Sequence, residues 1–422
     1  VPAVGATLLQ GLFNIVDTFW VGRGLGPVAL AGIGTGGFVV WAILSLAEIP
    51  SVGLTAVASR RWGEGDDRAA SEAGIQALAL SLISSVVVGG GALLSLGALF
   101  AIMRTPAEVT AAGTDYLVTY LAGAPFVFAY FVMDAAFRAA GDTRTPLRIL
   151  VVALAANAVL DPLFILGFGP VPALGVEGAA LATIVTRAGG CAIGFRELVR
   201  RGLLRGCRPE PGAMSSIGKI GLPVGIGGLV FCLVYIGLTA FTSQFGTAGL
   251  AALSVGHRIE SLSFLACLGF GFAAATSIGQ NLGAGHADRA VQSGHAALAY
   301  AVALMGAIGL AFLLIPNELI GVFSEDPGVI ADGAAYLRIV AVAQLFMAVE
   351  LVLQIAMEGA GYTLPPMFAG IGLTTLRLPL AWWLSGPLGL AGIWWAISST
   401  SIARGLAMAA IWRRGTWRRR GV

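Results

Sequence analysis

Gln10, Asn14 and Asp17 recur at helical spacing inside one long apolar run, and Asn157 and Asp161 stand four residues apart inside another. Residues three and four apart share a helix face, so each set forms a polar stripe on an otherwise oily cylinder. A charge in hydrocarbon is expensive, and an acid persists there when it takes up a proton, binds a cation or meets a fixed partner. Two carboxyls flanked by amide oxygens can share one proton or hold Na⁺. The sequence therefore nominates Asp17, Asn157 and Asp161 as cation-coupling residues, with H⁺ or Na⁺ as the coupling ion and Na⁺ held at those three. Thr183 in a later apolar run joins them if its helix lies alongside. Two other readings stand beside these. Asp17 can be half of a structural polar pair or sit at an interface. Asp161 can cap a helix near a loop, because Pro162 follows it.

Further polar and aromatic groups fall inside apolar runs. Gln10, Asn14, Phe38, Trp41, Glu48, Tyr130, Asp134, Glu260 and Glu350 are candidate walls of a substrate cavity. Glu48 precedes Pro50 and lines the cavity or supports a kink. Asp134 lies one turn before Arg138, so local pairing is an equal alternative. Glu350 is the best-placed acid of the second half, and Arg187, Arg377 and Arg404 snorkel or pair with acids. Four cysteines and three histidines lie far apart with no metal-ligand spacing, so neither a zinc-type site nor a structural disulfide is expected. No GxxxxGK[ST] phosphate loop occurs, and no constellation of His, Cys and acid suggests an enzyme. No cofactor is expected.

These residues need helices that cross a bilayer. Of 422 residues 57% are hydrophobic and 11% charged, and mean hydropathy is +0.87. A soluble domain carries about 25% charged residues, so this chain could not cover a wetted surface. Sixty glycines suit closely packed membrane helices. The net charge of +3 does not suggest nucleic acid, since the arginines cluster between apolar runs. A crossing needs about 20 apolar residues. Spans are expected near 2–21, 33–58, 73–100, 115–136, 148–168, 177–197, 218–242, 249–277, 291–316, 333–357, 364–384 and 389–411, with 317–332 an acidic loop. Basic residues gather on alternate connections: Arg60, Arg61 and Arg68, then Arg138, Arg144 and Arg148, then Arg196 to Lys219, then Arg289, then Arg413 to Arg420. The opposite side has little beyond Arg23 and Arg104. Both termini are thus expected in the cytoplasm. No cleavable signal peptide is visible, and a short native N-terminus is expected before Val1.

The two halves repeat at an offset near 220. Pro2 matches Pro223, Ala29-Leu30-Ala31 matches Gly249-Leu250-Ala251, Asp67-Arg68-Ala69 matches Asp288-Arg289-Ala290, and Arg138-Ala139-Ala140-Gly141 matches Glu358-Gly359-Ala360-Gly361. Asp17 faces Leu238 in this register, and Asn157 and Asp161 face Arg377 and Ala381, so the acids are not required by the repeat. Six spans per half give both repeats one orientation. The expected fold is an all-α polytopic membrane protein of twelve transmembrane helices in two six-helix lobes, related by a pseudo-two-fold axis along the membrane normal. Residues 1–198 form the N-terminal lobe, 199–217 a cytoplasmic linker and 218–422 the C-terminal lobe with its basic tail. A substrate path between rocking lobes is the natural expectation.

The pattern Gln10-x3-Asn14-x2-Asp17-Thr18-x3-Gly22-Arg23, the run Gly279-Gln280-Asn281-Leu282-Gly283-Ala284-Gly285, the segment Phe137-Arg138-Ala139-Ala140-Gly141-Asp142-Thr143-x2-Pro146 and the later Gly178-Ala179-Ala180-Leu181-Ala182-Thr183 together resemble the multidrug and toxic compound extrusion (MATE) family over essentially the whole chain. Within it the chain resembles the DinF branch, whose first-helix acid and whose Asn and Asp one turn apart on helix 5 are matched by Asp17, Asn157 and Asp161. Residues 218–242 lack the helix-7 acid of the NorM-like branch. The resemblance implies a monomeric multidrug antiporter of a prokaryotic inner membrane, in contact with membrane lipids. It would exchange H⁺ or Na⁺ for small amphipathic organic cations or hydrophobic drugs, with coupling in the first lobe. A lipid or lipid-linked precursor flippase of related fold is the alternative, kept open by Arg258 and Arg377.

Overall fold

Helices dominate because the chain offers long apolar runs broken mainly by Gly and Pro. In a computed structural model of the chain, residues 2–103 and 106–419 are described, without the side chains of residues 12, 14, 15, 18, 27, 102 and 103. Arg104 and Arg420, used above for orientation, and the side chain of Asn14 therefore lie outside the described residues. The elements in order are α1 (Pro2–Leu25), α2 (Pro27–Glu64), α3 (Asp67–Met103), α4 (Ala107–Ala122), α5 (Ala124–Ala139), α6 (Arg144–Leu166), α7 (Val176–Arg200) and α8 (Pro211–Thr242). A 3-10 turn at Ser243–Phe245 leads to α9 (Gly246–Gly283), α10 (Ala287–Leu314), α11 (Pro316–Gly321), α12 (Pro327–Val340), α13 (Ala343–Gly359), α14 (Leu364–Leu388) and α15 (Leu390–Arg414).

The protein is an all-α multi-pass membrane protein. Among the described residues seven segments are long and apolar enough to cross a bilayer, or nine if each of two bent pairs is one span. One of the seven, Pro211–Gly283, contains both α8 and α9. The chain divides into two compact units, Val1–Gly225 and Ile226–Val422.

In the first unit, the break expected between residues 21 and 33 is confined to Gly26, whose φ of 84° lies in the left-handed region that glycine tolerates. Pro27 then opens α2. The single span expected near 115–136 is instead two helices, α4 and α5, bent by 54° at Gly123. The cause is local and tertiary together. Pro125 occupies the first turn of α5, where its missing N–H costs nothing, and a side chain at Gly123 would collide with Ile184 of α7. Buried Leu117, Val127, Phe128, Ile165 and Ala179 pack together, so α4 to α7 share one core. In the turn after α5, burial raises the Asp142 carboxyl. Hydrogen bonds from Thr145 (2.5 Å to its hydroxyl), the backbone of Thr145 and Arg144, and the Arg201 guanidinium (2.8 Å) outweigh that and hold it below the usual carboxylate value.

In the second unit the span expected at 333–357 is again two helices. α12 and α13 meet at 57°, with no Gly or Pro at residues 341 and 342. A Cβ at Gly309 of α10 would lie only 2.7 Å from the Ala341 carbonyl at this break, so α10 offers the bend a place where backbone approaches closely. The loop expected over 317–332 contains α11, and Asp326 caps α12 by accepting the N–H groups of Gly328 (2.8 Å) and Val329 (3.0 Å). Leu253, Tyr336, Val340, Trp394 and Ile397 anchor the core of this unit. Trp394 packs edge-on to Tyr336 at 5.0 Å.

Candidate functional site

The helices of the first unit bring the two polar stripes together. Asp17 sits on α1, Asn157 and Asp161 on α6, and Thr183 on α7. Asn157 and Asp161 have 0% exposure and Thr183 7%. The Thr183 hydroxyl donates to Asp17 Oδ2 at 3.1 Å, while its helix-internal partner is the Ala179 carbonyl. The Asn157 amide donates to Asp161 Oδ1 at 3.1 Å. The carboxyls of Asp17 and Asp161 interact directly, and Asn157 reaches Asp17 as well. Asp161 is not a terminal cap, because α6 continues through Pro162 to Leu166. Pro162 lacks the N–H that would bond the Ala158 carbonyl, so the backbone ladder is interrupted beside the acid.

The hydrogen-bond accounting of this cluster does not close. Asp17 Oδ1, Asn157 Oδ1 and Asp161 Oδ2 are buried, and none has a hydrogen-bond partner among the described residues. Buried oxygens are normally satisfied. Two adjoining negative charges in a low-dielectric interior also repel strongly. A monovalent cation held by all three oxygens would remove both defects, and a proton shared by the two carboxyls would remove the repulsion and join two of the three oxygens. The arrangement is suited to binding one small positive species and to changing contacts when that species leaves.

Aromatic and basic groups complete the surroundings. Arg187, one turn after Thr183 on α7, lays its guanidinium over the rings of Tyr130 at 4.4 Å and Phe13 at 5.2 Å. Tyr116 and Tyr120 of α4 stack at 6.0 Å, and both sense the charge of Asp17. The sequence points to Tyr130 as a cavity wall and to Arg187 as a snorkelling or pairing residue. It does not single out Tyr116 or Tyr120, whose only signal is their i,i+4 spacing inside a polar-looking helix. Gln10 is half-buried on α1, two turns before Asp17, and Phe38 and Trp41 are half-buried on α2. Asp134 forms an ion pair with Arg138, and Glu48 acts on the same guanidinium. These three charges belong to a separate cluster further along α5.

The acids of the second unit are enclosed differently. Glu260 of α9 accepts the Tyr336 hydroxyl at 2.5 Å and the Gln344 amide at 3.1 Å, and Ser263 donates to Gln344 at 3.0 Å. His257 stands 3.8 Å from Glu260 and lies against the Tyr235 ring at 4.5 Å. Glu350 of α13 is ion-paired with Arg404 of α15. Arg377, 1% exposed, donates to Thr400 (2.8 Å), Ser401 (3.1 Å) and the Tyr235 hydroxyl (3.4 Å). Glu260 thus has two donors and Glu350 a fixed cation, whereas Asp17 and Asp161 each have one buried oxygen without a partner among the described residues. A 360 Å³ cavity lined by Phe241, Gln244, Phe245, Trp382, Trp383, Ser385 and Gly386 is remote from these acids along the helices. Its exposed tryptophans suit a membrane–water interface.

Comparison with known proteins bears on the whole chain. Residues 2–163 and 223–383 each match the model of the MatE family. A probable multidrug resistance protein NorM of Thermotoga maritima is 29% identical over 435 residues, covering 100% of this chain and 92% of that protein. An FAD transporter of Shewanella oneidensis is 26% identical, covering 96% of this chain and 90% of its own. The crystal structure of the Vibrio cholerae MATE transporter VcmN in the bent form superposes with a TM-score of 0.87 at 23% identity, over 98% of this chain and 94% of that one.

Proposed function

The chain belongs to the MatE family, and from that premise we propose that it is a secondary active exporter exchanging H⁺ or Na⁺ for organic cations and hydrophobic drugs by alternating access. The observation that carries this reading is the buried cluster of Asp17, Asn157, Asp161 and Thr183, with three oxygens that no protein donor reaches among the described residues. A cation-coupled cycle needs little more. An amphipathic cation from the cytoplasm or inner leaflet and the coupling ion compete for the same negative charge. Exchange follows if neither the empty nor the doubly loaded protein changes its facing side.

The twelve-span reading takes α1, α2, α3, the α4–α5 pair, α6, α7, α8, α9, α10, the α12–α13 pair, α14 and α15 as crossings. It takes the two compact units as two lobes, with both termini cytoplasmic. The coupling set, and its likeness to the DinF branch, rests on Asp17, Asn157 and Asp161 in the first unit and on the lack of any acid over 218–242. Gln10, Phe38, Trp41 and Tyr130 are the residues we assign to the drug path. The transporter acts as a monomer among the lipids of the inner membrane. A lipid-precursor flippase gains no support from Arg377, which is 1% exposed and donates to Thr400, Ser401 and Tyr235 within the second unit.

Proteoliposomes with separately imposed H⁺ and Na⁺ gradients test the proposal, with ethidium efflux as the readout. One gradient is expected to drive efflux in the absence of ATP. Efflux driven by ATP alone would refute it. Thr183→Val removes the hydroxyl donated to Asp17 and nothing of comparable size. A hydrogen bond to a charged group contributes about 1.5–3 kcal/mol, and this one favours the ionised, proton-free carboxylate, so a proton gradient should drive half-maximal efflux at a roughly tenfold lower H⁺ concentration. An unchanged ion dependence would show that Thr183 is a bystander.

A further inference from the structure

Asp17 and Thr183 form one rung of the α1–α7 contact, and Phe13 and Arg187 form the next. Thr183 bonds Asp17 at 3.1 Å. Arg187 follows Thr183 by four residues, Phe13 precedes Asp17 by four, and the Arg187 guanidinium lies 5.2 Å from the Phe13 ring. Successive rungs are about 5.4 Å apart along a helix, so the guanidinium is held roughly one turn from the acid cluster. The Tyr130 ring of α5 lies 4.4 Å from the same guanidinium. Arg187 is buried, and its Nη1 has no hydrogen-bond partner among the described residues. No ion pair among the described residues joins it to an acid. A buried guanidinium without a carboxylate partner is unusual, and it cannot shed its charge, because arginine stays protonated. The other titratable groups around it are Tyr120 of α4, Tyr130 and Cys191, which are neutral phenols and a thiol at ordinary pH. Arg138, with Asp134 and Glu48, is about 12 Å further along α5 from Tyr130.

We propose that Arg187 is a fixed internal counter-charge that sets the capacity of the Asp17–Asp161 cluster at one monovalent cation per cycle. Two ionised carboxylates and one guanidinium sum to one negative charge, and a single H⁺ or Na⁺ brings the chamber to neutrality. A second cation would leave net positive charge in hydrocarbon. Contact with the Phe13 and Tyr130 rings keeps the guanidinium from collapsing onto either acid. The carboxyl oxygens therefore remain available to the travelling ion. This inference rests on the coupling role assigned above to Asp17 and Asp161.

Counting bound ions on the purified protein in nanodiscs tests it without a transported substrate. Binding of ²²Na⁺ at pH 8 is measured by scintillation proximity, and proton uptake on a pH step in unbuffered solution by an indicator dye. The two arms separate the two ions. Wild type and Arg187→Lys are expected to take up one ion per chain. Arg187→Gln is expected to take up two, the first bound at least about tenfold more tightly, because a positive charge one turn away has gone. Asp161→Asn should bind none, since Asp17 and Arg187 then cancel. The double variant Asp161→Asn/Arg187→Gln should recover one, and it serves as the readout if Arg187→Gln alone does not purify as a folded protein. One ion in Arg187→Gln with unchanged affinity, or no recovery in the double variant, would overturn the proposal. If wild type binds no ion in a manner sensitive to Asp17→Asn, the coupling role itself fails, which is a different result.

Discussion

Asparagine in place of Asp17 is expected to abolish ion-driven efflux while leaving a folded protein in the membrane. The substitution preserves the size of the side chain, and the amide oxygen can still accept the Thr183 hydroxyl that bonds Asp17 at 3.1 Å. It removes the negative charge that a proton or Na⁺ would neutralise. With Arg187 nearby, the remaining charge of Asp161 is already balanced, so nothing is left to attract a travelling cation. Ion affinity should fall by at least about tenfold, and efflux of ethidium from proteoliposomes should drop to the level of empty vesicles. Thermal unfolding in detergent should stay within a few degrees of wild type. Normal efflux by Asp17→Asn would remove the first unit from the coupling mechanism, though not from the transporter.

The largest stability effect should come from the second unit. Arg404→Ala strips Glu350 of its ion-pair partner, and the Glu350 side chain is only 4% exposed. Breaking a buried pair by removing one member costs about 3–5 kcal/mol, because the remaining charge is stranded, whereas replacing both members with apolar groups is often neutral. Arg404→Ala is therefore expected to lower the unfolding midpoint sharply. Glu350→Leu/Arg404→Leu should recover most of the loss and retain ion-driven efflux. If the double variant folds well but transports nothing, Glu350 belongs to the transport machinery and the ion pair is more than scaffold.

These two outcomes separate acids that the sequence could not tell apart. Asp17, Asp161, Glu260 and Glu350 all read as charges inside apolar runs. The stripes on α1 and α6 were legible because i,i+4 spacing fixes a shared face before any tertiary contact is known. What distinguishes the four acids is their partners, and those come from afar: Glu350 meets Arg404 over 54 residues, and Glu260 meets Tyr336 over 76. Helical periodicity carries no information about which faces meet. Arg187 was legible as an intramembrane charge but its neighbours were not, for the same reason, since it lies against Phe13 of α1 and Tyr130 of α5. The helices themselves were readable from hydropathy, and the break at Gly26 from local chemistry. The bends were not. Gly123 and Pro125 lie inside the span expected near 115–136, and nothing at Ala341 and Val342 breaks a helix by composition. A feature decided by packing against Ile184 or Gly309 leaves no local mark.

The bends have a bearing on history. Angles of 54° and 57° fall at matching places in the two halves, although the residues at the two breaks differ. Two such kinks are most simply one kink, present in an ancestral half before it was duplicated and kept in both daughters while sequence drifted. Asp17 and Asp161 have no acidic counterpart in this register, where Leu238 and Ala381 stand. Shape is thus common to the two halves where charge is not, so chains built on the same pair of halves should share the kinks whatever acids they carry.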